Sequence, residues 1–160
     1  MDSRLRDLER GWHATGAVED HAAWLRERVR AGTLPRVELE VAAVRGDAAS
    51  ALASSEMPRA LLVVHFWAVW NNHDTLMART LAEVQAREVD WLLHRVDVDE
   101  DQQFAAACNV LSLPTLVAYR AGIERGRIVG RREDAALAVW LRSLWGKLPS
   151  DGCRREACQE

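Results

Sequence analysis

Thiol chemistry in this chain would have to run through Cys108, Cys153 or Cys158, its three cysteines. Cys153 and Cys158 stand five residues apart near the carboxyl end, wider than the Cys-x-x-Cys spacing of the usual redox motif. They read either as incidental thiols of a tail or as a pair that bridges on oxidation. Cys108 falls on the inner side of an expected helix, where a free cysteine usually acts as a small buried hydrophobe. For metal chemistry the candidates are His65, His73, His94 and Asp74. No pair spacing sets two of these imidazoles on one metal, because His65 and His94 belong to different strands and His73 to a turn. They read as solvated or hydrogen-bonded histidines, and neither a metal nor another cofactor is expected. Acid–base work by His73 with Asp74 meets a geometric objection: neighbours at a helix start point in different directions. Asp74 is expected to cap that helix instead, and no nucleophile accompanies the two.

The elements that position these residues are set out by apolar periodicity. The stretch RALLVVHFWAVWNNHDTL, residues 59–76, organises the chain. Its apolar run from Leu61 to Phe66 is too continuous for a sheet with one wet face, so it is expected to be a central strand covered on both sides. His65 lies in the middle of that strand and is expected to be buried and neutral. The polar turn Asn71-Asn72-His73 follows the strand's carboxyl end, the corner where open α/β sheets bind ligands. An amphipathic helix then runs to about residue 88, with Leu76, Met77, Leu81 and Val84 on one side. Trp91 to Val98 reads as a second buried strand, and Phe104 to Cys108 ends a short helix whose start is crowded with acids, as the helix dipole favours. Residues 115–129 read as a hairpin turning at Ala121-Gly122, and Glu133 to Trp145 as a last helix. The basic run Arg125, Arg127, Arg131 and Arg132 is interleaved with acids and reads as a solvated edge.

Before the central strand the chain is helical in pattern. Leu5, Leu8 and Trp12 mark one helix, broken at Thr15-Gly16; Val18, Ala22, Leu25 and Val29 mark a second, ended by Gly32. Residues 34–45 fit a strand by alternation and a helix by spacing, and Pro35, Ala42, Ala43 and Gly46 favour the helix. Asp47 can cap a short alanine-rich helix to about Ser54. Residues 1–54 therefore read as two helical hairpins.

The middle of the chain resembles the thioredoxin superfamily. The resemblance rests on Phe66-Trp67-Ala68-x-Trp70 followed by four turn residues, then on Val96-Asp97-Val98-Asp99, on Leu113-Pro114-Thr115 with Leu116 and Val117, and on Gly122 and Gly130. It spans roughly residues 55–147 and implies an α/β fold, a central mixed sheet flanked by helices. It also implies a cis bond at Leu113-Pro114 and a peptide-recognition groove made by Trp70, Leu113 and Pro114, with Asn71, Asn72, His73 and Gly130 alongside. The departures lie at the reactive centre. Where the family carries Cys-x-x-Cys this chain reads Asn71-Asn72-His73-Asp74, and where redox members carry a buried acid it has His65. Two-electron thiol exchange needs an attacking thiolate and a resolving sulfur, and neither Asn71 nor Asp74 supplies one.

Composition bounds the remaining classes. A chain that is 49% hydrophobic and 28% charged, with net charge −3, fits a globular protein and carries no basic field for nucleic acid. The start MDSRLRDLERG lacks the apolar core of a signal peptide, and no apolar run reaches the roughly 20 residues of a membrane span. Three cysteines make no secreted disulfide framework. The expectation is a cytoplasmic, bacterial-type protein of three parts: a helical extension over 1–54, a thioredoxin-like domain over 55–147 and a flexible tail over 148–160. Its expected role is a redox-inactive binding or adaptor module with a protein or peptide partner, and its oligomeric state is open. The alternative is an unconventional thiol–disulfide oxidoreductase working through Cys153 and Cys158 or through Cys108.

Overall fold

A computed structural model describes residues 3–46, 60–87 and 91–145. Three helices come first: α1 (Ser3–Thr15), α2 (Val18–Arg30) and α3 (Arg36–Arg45). Gly16 stops α1 in the left-handed region at φ +63°, its N–H donating to the Trp12 carbonyl at 2.8 Å. Residues 34–45 resolve in favour of the helix, with Pro35 at its amino end and Gly46 at φ +85° closing it. Trp12 stacks on His21 at 4.1 Å between ring centres and lies 5.0 Å from Trp24, joining α1 to α2. Ala22 and Leu25 of α2 then bury against Leu39 and Ala43 of α3. The short helix expected after Asp47 lies outside the described residues.

Among the described residues the other elements are β1 (Leu61–Trp67), α4 (Asn72–Arg87), β2 (Trp91–Asp97), α5 (Gln102–Ala107), β3 (Thr115–Arg120), β4 (Ile123–Val129) and α6 (Asp134–Trp145). The strands form one mixed sheet in the order β2-β1-β3-β4. β1 runs parallel to β2, and β3 pairs antiparallel with both β1 and β4. Parallel neighbours demand a crossover, which α4 supplies.

The continuous apolar run of β1 has the cause its sequence implied. Leu61 and Val63 join Met77 and Leu81 of α4 and Leu137 and Leu141 of α6 in one buried cluster. Leu62, Val64 and Phe66 point the other way, into a cluster with Phe104 of α5. Val41 of α3 belongs to that second cluster, so the helical extension covers part of the sheet. Among the described residues no helix is long and apolar enough to cross a membrane.

Candidate functional site

The carboxyl ends of β1 and β2 and the segment entering β3 meet at one corner. Phe66 pairs with Thr115, so the chain leaving β1 runs beside Pro114, and the Gly130 N–H donates to the Pro114 carbonyl at 2.8 Å. The Leu113–Pro114 peptide is cis. Leu113 is half-buried and Pro114 buried, while Asn72 and His73 are exposed. Gly130 sits at φ +83°, a left-handed conformation that suits glycine at this tight exit from β4.

Trp70 is 67% exposed, yet its indole is not loose. Nε1 donates to Asp99 Oδ2 at 2.8 Å, and the Asp99 amide is in turn held by Asp97 Oδ1 at 2.9 Å. The Val98 amide donates to the Trp67 carbonyl at 2.9 Å, tying this acidic turn to the end of β1. Val69, 77% exposed, extends the apolar surface beside Trp70. No signal in the sequence pointed to the Trp70–Asp99 bond, because its partners come from different crossover segments.

Asp74 does not cap α4. The cap is Asn71, whose Oδ1 accepts from the His73 amide at 3.0 Å. Asp74 turns inward, is 1% exposed, and accepts the Ala68 amide on Oδ2 at 2.8 Å. Its Oδ1 lies 3.8 Å from Nε2 of His65, too far for a hydrogen bond. His65 is wholly buried, as its place in β1 required. Desolvation, aided by the Arg95 guanidinium, pushes its imidazole down to about 4. Desolvation pushes the Asp74 carboxyl the opposite way, upward, although the Ala68 amide, Arg95 and His73 oppose the rise. The structure thus brings His65 and Asp74 together and leaves His73 on the surface above them.

Cys108 is buried behind α5, accepting the Tyr119 hydroxyl on its Sγ at 3.3 Å. Burial pushes its thiol up, which disfavours the thiolate that disulfide exchange requires. Arg127, expected on a solvated edge, instead donates to the carbonyls of Cys108 at 2.8 Å and Asn109 at 3.1 Å while pairing with Glu124. It stitches β4 to the end of α5. These groups line a cleft of about 480 Å³ whose other wall is Val44 and Arg45 of α3. Its charges are satisfied within the protein, Arg45 by Asp101 at 2.6 Å and Arg127 by Glu124 at 3.0 Å. Cys153 and Cys158 lie outside the described residues.

A mixed sheet with a crossover helix, a cis-proline entering an antiparallel strand and a tryptophan-bearing turn facing it define a thioredoxin fold. The thioredoxin family model matches residues 48–143, and the chain belongs to that family. It is 34% identical over 103 residues to a thioredoxin of Mycobacterium tuberculosis, covering 64% of this chain and 84% of that protein. To thioredoxin-2 of Saccharomyces cerevisiae it is 36% identical over 86 residues, 54% of this chain and 80% of the yeast protein. Among solved structures, a mutant thioredoxin from Halobacterium salinarum superposes with a TM-score of 0.51 at 28% identity, over 56% of this chain and 78% of that one.

Proposed function

We propose that this chain is a thioredoxin-family protein that has given up thiol exchange and kept the corner as a polypeptide-binding surface. The observation that carries the reading is the fate of the two sulfur positions. Asn71 is spent on capping α4, and Asp74 is folded under the turn onto the Ala68 amide. Neither can form a mixed disulfide, and the corner contains no cysteine among the described residues.

What remains is a surface suited to recognition. Trp70 is exposed but held by Asp99, so an aromatic face is presented with little ordering left to do on binding. In this reading Asn71, Asn72, His73, Leu113, Pro114 and Gly130 complete the surface, and an extended segment beside Leu113 would add main-chain hydrogen bonds to side-chain contacts. In this reading residues 1–54 are a helical layer docked on a domain of residues 55–147, followed by a tail over 148–160. The module acts in the cytoplasm of a bacterial cell and needs no cofactor.

Two measurements test this together. A disulfide-reduction assay should give no turnover above a thiol-free control, and affinity capture should recover a polypeptide whose binding is weakened by Trp70→Ala and by His73→Glu. Turnover lost on replacing Cys153 and Cys158 would establish the oxidoreductase alternative instead. Binding that survives both corner changes but is lost on deleting residues 1–54 would move recognition to the helical extension.

A further inference from the structure

Beneath the corner, three polar atoms are buried without a hydrogen-bond partner: Nδ1 and Nε2 of His65, and Oδ1 of Asp74. Buried polar atoms are seldom left so, since each forfeits its hydration. Two of them face each other, Nε2 and Oδ1 at 3.8 Å, and a movement of about 1 Å would bring them into a hydrogen bond. The second carboxyl oxygen of Asp74 is already engaged, accepting the amide of Ala68, the first residue of the turn that carries Val69 and Trp70.

We propose that Asp74 is a proton-controlled latch on this turn: its carboxylate clamps the Ala68 amide, and a proton taken up on Oδ1 and shared with Nε2 of His65 loosens the clamp. The inference stands whether or not the corner binds a partner.

The proton balance is simple. In the ionised state the neutral imidazole carries its proton on Nε2 and points it at Oδ1. One proton then enters from solvent and takes the pair from a single negative charge to none. Oδ1–H becomes the donor to Nε2, and the imidazole's own proton moves to Nδ1. Oδ2 is left as the carbonyl oxygen of a neutral acid. A hydrogen bond to an ionised acceptor is roughly twice as strong as one between neutral groups, so the hold on Ala68 weakens.

Burial moves the two groups in opposite directions, the carboxyl up and the imidazole down, which favours Asp74 over His65 as the site of this proton. Their surroundings are mostly apolar. Leu116 of β3 stands opposite His65 in the register, and it shares one buried cluster with Met77 of α4 and Leu137 of α6. The charged and titratable groups acting on it are Arg95 on β2, whose guanidinium lies 4.5 Å from the Trp67 ring centre, and His73 in the turn. A positive Arg95 favours the carboxylate and disfavours an imidazolium, which keeps the exchange between a charged acid and a neutral acid, with the imidazole neutral throughout.

The test is an NMR titration of the full chain that follows the Asp74 carboxyl carbon, the Ala68 amide and the His65 ring nitrogens. The expected result is one shared midpoint: as Asp74 takes up its proton, the Ala68 amide proton moves upfield and Nε2 changes from a protonated to an unprotonated ring nitrogen. In Asp74→Asn, which keeps an oxygen for Ala68, the Ala68 transition should vanish. In His65→Gln the midpoint should shift. An Ala68 amide that stays fixed while Asp74 titrates, an Asp74 that does not titrate while the fold persists, or an Nε2 that never changes state would each overturn the latch. If Asp74→Asn does not fold, the three wild-type signals decide the matter by themselves.

Discussion

A Cβ placed on Gly122 would stand 2.9 Å from the carbonyl oxygen of Ala43. That distance makes the β3–β4 turn and α3 a tight contact between the thioredoxin fold and its helical extension. Gly122 is also in the left-handed region at φ +75°, where a side chain is disfavoured. Gly122→Ala therefore combines backbone strain with a clash against main chain, and a loss of about 2 kcal/mol is expected. Gly16→Ala, at φ +63° with nothing within 4 Å of the added atom, should lose only the strain. Urea unfolding of the two variants beside wild type checks the order, and equal losses would show that α3 yields readily.

His65 makes the fold acid-sensitive in a defined window. Its pKa is depressed from 6.5 to about 4, so its contribution to stability is complete above about 6.5 and is lost as pH falls toward 4, up to about 3 kcal/mol. Asp74 acts with the opposite sign. Its pKa is raised, so its ionisation costs stability as pH rises, and acidification relieves that cost. The two slopes partly cancel in wild type. Asp74→Asn removes the compensating one, so the variant should lose more stability than wild type between pH 7 and pH 4.5 in chemical denaturation. A variant no more acid-sensitive than wild type would contradict the assignment.

Cys108 should react slowly with thiol reagents in the folded protein. Burial pushes its thiol up and outweighs the Tyr119 hydroxyl, whose hydrogen bond favours the thiolate, so the reactive thiolate stays scarce. In a Cys153→Ser, Cys158→Ser background the titration should show one thiol that becomes reactive on unfolding. Rapid labelling under native conditions would mean that the cleft admits reagents to the sulfur.

Trp70 and Asp99 should act as a unit in partner binding. Truncating a central interface aromatic commonly costs about 2 kcal/mol or more, so Trp70→Ala should weaken a captured partner roughly 30-fold. Asp99→Ala frees the indole and should give a smaller loss, whereas Asp99→Asn keeps an acceptor and should stay near wild type. Calorimetry on the four proteins separates these outcomes. Equal affinity for all would remove Trp70 from the interface.

Much of the architecture is local in origin and was legible in the residues. The two-faced burial of Leu61 to Phe66, the buried His65 and the inward Met77, Leu81 and Val84 of α4 follow from the period with which apolar side chains recur, although Leu76, read on the same side, is 41% exposed. The turn Asn71-Asn72-His73-Asp74, which holds no cysteine, is likewise a property of the sequence alone. Tertiary structure decided the direction of Asp74. Asn71 and Asp74 are both good helix-capping residues, and the register of the turn settles which is used. β1, α4 and the Ala68 amide together put Asn71 at the cap and Asp74 beneath the turn. The same holds for Asp99 beneath the Trp70 indole, Arg127 at the end of α5, and Ala43 against Gly122. Each joins residues from separate elements, and periodicity reports the face a residue occupies but not which distant group it meets there.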